Sequence, residues 1–259
     1  MENTDHRIID SHVHLDHIYE KKPERIRWMQ EHGIMPISWA FGLHIENVGN
    51  LKDYLRTQSE VIHGLNREGF ECYYLSGIHP RNISPDLGSG DVRDILSPFL
   101  DDPLCLGIGE IGLETGSNQE KEILCAHLEL AESMDKKLGI HTPRNDKPRI
   151  TEEILAVLKS YPGIEDITVI DHCTPETVGQ VLERGYWAGV TLSPLKTSFQ
   201  DLEQIIRQHS ENSERIMCNT DSGTVFYEDI YQLYASEAFP PTIRKGLAFA
   251  NASRFFLLP

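Results

Sequence analysis

Histidine and carboxylate side chains end several of the short apolar runs in this 259-residue chain. His12 and His14 follow the first run two residues apart, so a strand would place both on one face. Glu110 ends a later run, and the remaining members of the set are His141, His172 and Asp221. Imidazole nitrogens and carboxylate oxygens together suit Zn²⁺, Mn²⁺ or Fe²⁺ better than Ca²⁺. The pattern therefore predicts a site for divalent metal ions.

Taken singly, each of these residues has an ordinary structural interpretation. A lone histidine is usually a surface or core residue, Glu110 could form a salt bridge, and Asp221 could cap a helix. Six such groups gathered at one place would be costly to desolvate without partners. Six ligands are too many for one tetrahedral ion and suit two ions that share a carboxylate. Two such ions, zinc first and Mn²⁺, Mg²⁺ or Fe²⁺ as alternatives, would activate water, and Asp221 could accept its proton.

The elements that position these residues are read from the alternation of apolar runs with amphipathic stretches. Runs of this kind are typical of parallel strands buried on both faces. Eight such units predict an α/β fold, a single (β/α)₈ barrel over residues 1–259 with its site at the carboxyl ends of the strands. An open doubly wound sheet would place a glycine-rich loop after its first strand, where this chain has His12-Val13-His14. The runs are residues 7–12, 33–43, 71–79, 104–111, 137–141, 167–172, 186–193 and 215–221.

Apolar residues at three- and four-residue spacings predict the helices between the runs. Thr151 is expected to cap the helix at 151–161, and Gly185 is expected to end the one at 175–185. The other helices are predicted at residues 50–69, 119–137 and 199–209.

Composition limits the partners. The chain is 39% hydrophobic, which excludes wholesale disorder, and its net charge of −16 disfavours an extended nucleic-acid surface or a membrane surface. We expect a small anionic substrate or a short oligonucleotide as partner, and a monomer or small homo-oligomer. No apolar run approaches the roughly 20 residues needed to span a bilayer. Residues 1–10 lack the apolar core of a secretory signal, and the five cysteines form no CxxC pair, so we expect a cytoplasmic protein.

Basic residues on the expected active-site loops are candidates for binding an anionic substrate. Arg144 lies three residues beyond His141, and Lys196 follows the seventh run. Arginine and lysine there could hold a phosphate group. Lys147 and Arg149 are interpreted instead as solvated loop charges. Among the histidines away from run ends, only His44 is singled out.

The chain resembles the TatD family of metal-dependent hydrolases, within the amidohydrolase-type barrels. The resemblance implies that His12, His14 and Asp221 serve one metal ion, that His141 and His172 serve a second, and that Glu110 bridges them. It also implies that His79 and Arg144 lie at the substrate end. The motifs that carry it are Asp10-Ser11-His12-Val13-His14-Leu15, Gly77-Ile78-His79-Pro80, Gly109-Glu110-Ile111-Gly112-Leu113-Glu114, Gln119, Gly139-Ile140-His141-Thr142-Pro143-Arg144, Asp171-His172-Cys173 and Asn219-Thr220-Asp221-Ser222.

We therefore expect a TatD-related hydrolase that directs water at a phosphoester, of which a nuclease-type phosphodiester is one form. Two alternatives stay open from the residues. One is a lactonase or amidohydrolase acting on a small cyclic ester or amide at the same centre. The other is a barrel that binds a metal or a small molecule without catalysis.

Overall fold

The structure, a computed structural model, describes residues 8–258. Residues 1–7, which include the start of the first run and most of the polar N-terminal segment, lie outside the described residues. Each of the eight apolar runs overlaps a strand, as the sequence predicts. The strands are β1 (Ile8–Val13), β2 (Ile34–Trp39), β3 (Tyr73–Leu75), β4 (Cys105–Gly112), β5 (Lys137–His141), β6 (Thr168–Ile170), β7 (Trp187–Thr191) and β8 (Ile216–Asn219).

The eight strands form one parallel sheet in sequence order, β1 to β8. A parallel bridge between Val13 and Ser222 joins the end of β1 to the chain after β8, so the sheet closes into a nearly complete barrel. The predicted (β/α)₈ fold is confirmed. Because all strands run in one direction, their carboxyl ends share one rim, where the candidate ligands gather.

The helices pack outside the barrel, and the first and last strands are followed by more than one. They are α1 (Leu15–Lys21), α2 (Glu24–Glu31), α3 (Val48–Arg67), α4 (Asp91–Leu100), α5 (Asn118–Met134), α6 (Lys147–Leu158), α7 (Val178–Glu183), α8 (Phe199–Gln208), α9 (Asp229–Ala235), α10 (Pro241–Lys245) and α11 (Asn251–Phe256). Within residues 8–258, no helix is long and apolar enough to cross a bilayer.

The helix ends test the capping predictions. Gly185 has a φ of 83° just beyond the last residues of α7, as expected of a glycine that ends a helix. The expectation for Thr151 is wrong, because α6 begins at Lys147 and Thr151 is fully buried inside it. Pro148 in the first turn explains the earlier start, since proline costs no hydrogen bond there.

The barrel interior is filled by large side chains that also form the floor of the site. Trp39 is fully buried, and its ring stacks on the imidazole of His12 with centroids 4.1 Å apart. A Cβ atom at Gly139 would lie 2.6 Å from the Trp39 ring, so only glycine fits at that position of β5. Other barrel residues in the same buried cluster as Trp39 are Ile9, Met35, Ile37, Leu75, Val169 and Met217.

Candidate metal centre

Three candidate ligands are histidines whose Nδ1 atom is tied to another group. The Nδ1 of His12 lies 2.5 Å from Asp171 Oδ2, and both side chains are buried. The Nδ1 of His14 lies 3.0 Å from the carbonyl oxygen of Trp39, and that of His172 lies 2.7 Å from Thr191 Oγ1. Fixing Nδ1 leaves Nε2 as the atom that faces the centre of the barrel mouth. Metal-binding histidines are commonly oriented in this way.

Glu110, near the end of β4, presents its two carboxylate oxygens to two different groups of histidines. Oε2 lies 3.5 Å from His12 Nε2 and 4.0 Å from His14 Nε2. Oε1 lies 2.7 Å from His141 Nδ1 and 3.1 Å from His172 Nε2. The carboxylate is therefore placed between the two histidines at the end of β1 and the two at the ends of β5 and β6.

The Nε2 atom of His12 is buried and has no hydrogen-bond partner. Its nearest carboxylates are Glu110 Oε2 at 3.5 Å and Asp221 Oδ1 at 3.6 Å. These separations are too long for good hydrogen bonds. They match the spacing of about 3.3 Å between ligands of a tetrahedral ion with bonds of about 2.0–2.1 Å. The residues present therefore fit a divalent metal ion at this place.

The ends of β6 and β8 bring His172 and Asp221 to the same point. Both have left-handed backbone conformations, with φ values of 60° and 52°. Such conformations are uncommon outside glycine and cluster at functional sites. Asp221 Oδ1 lies 3.0 Å from His14 Nε2, which adds a carboxylate to the two histidines at the end of β1. Sets of three residues with ligand atoms within 4.8 Å of one another are His12, His14 and Glu110; His12, His172 and Asp221; and His79, Glu110 and His141.

His79 differs from the other histidines in the role of its Nδ1. This atom accepts a hydrogen bond from the backbone N–H of Arg81 at 3.0 Å, so it carries no proton. Burial lowers the pKa of His79 well below its usual range, which makes the ring neutral with its proton on Nε2. Nε2 lies 3.8 Å from Glu110 Oε1. His79 therefore offers an N–H donor to the site rather than a ligand atom.

The carboxylates of the site are ionised despite their burial. Burial alone would raise the pKa of Glu110, but the histidine charges, that of His12 foremost, hold it well below its usual range. Burial would likewise raise the pKa of Asp221, but Lys196 outweighs burial and lowers it well below normal. For His12, burial acts downward, yet Glu110 and Asp171 raise its pKa to about 10. The acids thus concentrate negative charge that attracts cations.

The three predicted substrate residues all line one cavity of about 620 Å³ above these groups. Arg144 is exposed at its rim, and His79 lies buried beneath it. Lys196 reaches inward: its Nζ is hydrogen-bonded to Asp221 Oδ2 and lies 3.0 Å from His172 Nδ1. Lys196 therefore contacts two candidate ligands in addition to facing the cavity.

Several residues near the site have roles that the sequence does not indicate. Asp171 fixes His12, and Glu114 lies 2.9 Å from His141 Nε2. The interpretation of Lys147 as a solvated charge is wrong, because it lines the cavity with Nζ 2.8 Å from Thr142 Oγ1. His17 lines the cavity, whereas His44 is exposed outside that lining. Burial lowers the pKa of Lys147 to about 8, which reflects the partly buried position of its ammonium group.

A (β/α)₈ barrel with histidines and carboxylates at the carboxyl ends of its strands defines the class of metal-dependent hydrolase barrels. The family model for TatD related DNase matches residues 9–225, and the chain belongs to that family. It is therefore a TatD-family metal-dependent hydrolase, as the motifs predict.

Two relatives of this chain agree with the assignment, and a third protein is similar in fold. It is 30% identical over 197 residues to an uncharacterized metal-dependent hydrolase of Methanocaldococcus jannaschii, covering 73% of this chain and 76% of that protein. The crystal structure of a TatD-like protein from Archaeoglobus fulgidus is similar with a TM-score of 0.77 and 31% identity, covering 96% of this chain and 99% of that one. A phosphotriesterase homology protein from Escherichia coli shares the fold with a TM-score of 0.67 and 15% identity, covering 98% and 100% of the two chains.

Proposed function

We propose that this protein hydrolyses phosphoesters, including phosphodiesters of the nuclease type, with two divalent ions held on either side of Glu110. The observation that carries the proposal is the pair of Glu110 oxygens, each facing its own group of histidines, beside the unpartnered Nε2 of His12. One carboxylate between two sets of nitrogens is the arrangement that a bridged pair of ions needs.

Each ion would have its own ligands from this chain. His12, His14 and Asp221 would hold the first, and His141 and His172 the second, with Glu110 shared. Bound divalent ions supply Lewis acidity, which lowers the pKa of water and polarises a phosphoryl oxygen. Nitrogen and oxygen ligands favour Zn²⁺, with Mn²⁺, Mg²⁺ or Fe²⁺ as alternatives.

The chain's own residues would accept the proton of water, donate a hydrogen bond to the substrate and bind its anionic group. Asp221 is ionised and borders the cavity, so its carboxylate can accept the proton of the attacking water. The Nε2–H of His79 can donate to a substrate oxygen. Arg144 and Lys196 supply positive charge to hold an anionic group. The partner is thus a small anionic substrate or the end of a short oligonucleotide.

We propose that residues 1–259 act as one catalytic domain, since the eight strand–helix units occupy almost the whole described chain. The acidic net charge of −16 argues against an extended nucleic-acid surface. A cytoplasmic monomer or small homo-oligomer is the form in which we expect it.

The test is a substrate panel with bound metal measured on the same samples. Purified protein should hold about two ions per chain and turn over a phosphodiester or phosphomonoester in preference to a lactone or amide. Asp221→Asn should lower turnover by about 10²–10⁴-fold. Asp10→Asn is the control, because Asp10 is a buried carboxylate that bonds to Thr220 and lies outside the cavity lining. Turnover of lactones or amides alone, or full activity in Asp221→Asn, would contradict the proposal.

A further inference from the structure

Three exposed apolar side chains gather around the cavity of the candidate site. Among the described residues, Leu43, Leu195 and Val225 are 41%, 64% and 53% exposed, and all three line the cavity. Scattered exposed leucines are common on protein surfaces, but a group around one opening is informative. The large apolar residues of comparable exposure elsewhere are Tyr19 and Leu257.

The three residues occupy one continuous arc of the rim. Leu43 follows β2, Leu195 follows β7 and Val225 follows β8. The strand order places β7 beside β8, and the Val13–Ser222 bridge places the chain after β8 beside β1. The side of the mouth that runs from β7 through β8 and β1 to β2 therefore carries the exposed apolar side chains, while Lys196 on the same side is paired with Asp221. We call the row formed by Leu195, Val225 and Leu43 the apolar arc.

Phe41 continues the apolar arc inward from Leu43. Its ring centroid lies 5.5 Å from that of His14 and 4.7 Å from that of His79. An apolar group that rests on Leu43 and Phe41 would therefore be next to the candidate metal ligands. The guanidinium of Arg81 lies over the same ring, 5.0 Å from its centroid, and marks where the apolar arc ends.

The opposite side of the mouth carries cationic side chains. Arg81 follows β3, and Arg144 and Lys147 follow β5 or begin α6. Glu114 lies between them and pairs with His141 at 2.9 Å and with Arg81 at 3.6 Å. Arg144 and Lys147 therefore leave this side positively charged. The mouth thus has one apolar side and one side suited to an anion.

We propose that the natural substrate is an amphiphilic small molecule, with an anionic group at the cationic side and an apolar chain or ring along the apolar arc. The anionic end rests on the proposed function, and the apolar end rests on Leu43, Leu195 and Val225. A cavity of about 620 Å³ has room for both ends of such a molecule. A polyanionic strand would leave the apolar arc without a partner.

The test uses two matched ligand series on the metal-loaded protein, n-alkylphosphonates and n-alkylcarboxylates from methyl to hexyl. Dissociation constants are measured by titration calorimetry, so no turnover is needed. Complete burial of a methylene improves affinity about fourfold, and partial burial on an open arc about twofold. We expect a gain of about 30-fold from methyl to hexyl in a series that binds.

A double variant assigns the gain to the apolar arc. Leu195→Ser with Val225→Ser should reduce the gain from methyl to hexyl to less than about threefold. Both side chains are more than half exposed, so the fold does not depend on them. Leu257→Ser is the control, because Leu257 is 80% exposed and lies outside the cavity lining. The control should keep the full gain.

The outcomes separate the two proposals. A gain with chain length that the double variant loses supports the amphiphilic substrate. A flat series in the wild type, or an equal gain in the double variant and in Leu257→Ser, overturns it. Phosphonates that bind no better than carboxylates of equal length count against phosphoester hydrolysis, while the chain-length gain still decides the apolar arc. Absence of binding in both series overturns both proposals.

Discussion

Asp171→Asn is the substitution that should reveal how Asp171 fixes the ring proton of His12 on Nδ1 and leaves Nε2 for a metal ion. Asp171 Oδ1 accepts from the backbone N–H of His172 at 2.7 Å and from Asn219 Nδ2 at 2.9 Å, while Oδ2 faces His12 Nδ1. In the variant, these two donors hold the amide oxygen in the place of Oδ1. The amide NH₂ must then face His12 Nδ1. That nitrogen would have to accept a hydrogen bond, which moves the ring proton to Nε2.

The magnitude follows from this exchange of roles. To bind a metal ion through Nε2, His12 must return the proton to Nδ1 and leave two N–H groups facing each other. An unsatisfied buried donor costs about 1–3 kcal/mol, which corresponds to a loss of about 5–150-fold in metal affinity. Substitutions of groups that orient metal-binding histidines commonly cost 10–100-fold, in agreement. Turning the amide around would instead break the bonds to His172 and Asn219, at a similar cost.

The assay is competition with a fluorescent zinc chelator, with thermal unfolding of the metal-free protein as a check on folding. We expect Asp171→Asn to weaken affinity by about 10–100-fold and Asp10→Asn to change it by less than about threefold. Asp10 is a matched control because its oxygens accept from Thr220 at 2.9 and 2.6 Å and do not touch an imidazole. A folded Asp171→Asn protein with wild-type affinity would refute the reasoning.

Three other substitutions probe the surroundings of the site. Gly189→Ala would drive a methyl group into the Asp171 carboxylate, so metal affinity measured by the same competition should fall as in Asp171→Asn; wild-type affinity would contradict this. Lys147→Met removes a buried ammonium whose pKa is lowered to about 8 from 10.5. Since the unfolded chain holds that proton more tightly, by a difference of about 2.5 in pKa, the variant should be more stable than the wild type by about 3 kcal/mol below pH 8. This gain should vanish by about pH 10.5 in urea unfolding. Lys196→Met removes a cation that contacts Asp221, so zinc affinity should rise about tenfold, and an unchanged or weaker affinity would show that Lys196 does not compete with the ion.

The sequence predicts the barrel and the candidate ligands because both depend on local signals. Each strand is an apolar run, and parallel strands bring their ends to one rim whatever the intervening loops do. His12, His14, Glu110 and Asp221 could therefore be placed together without knowledge of any contact. Helix ends were predicted less well, as Thr151 shows, because a proline in the first turn permits an earlier start than the apolar pattern indicates.

The residues that support the ligands could not be found in this way. Asp171 meets His12 across 159 positions of sequence, and nothing in its neighbourhood marks it as the partner. The interpretation of Lys147 as solvated follows from its place on a predicted loop, whereas the start of α6 turns it toward Thr142. Assigning His79 as a donor depends on the backbone N–H of Arg81, a contact set by the short 3₁₀ helix at Pro80–Asn82.

The central claim, two divalent ions bridged by Glu110, is tested most directly by anomalous diffraction from crystals of the metal-loaded protein. We expect two anomalous peaks about 3.5–4 Å apart, one on each oxygen of the Glu110 carboxylate. One peak should lie within about 2.0–2.2 Å of the Nε2 atoms of His12 and His14, and the other at that distance from nitrogens of His141 and His172. A single peak, or two peaks of which neither touches Glu110, would contradict the account.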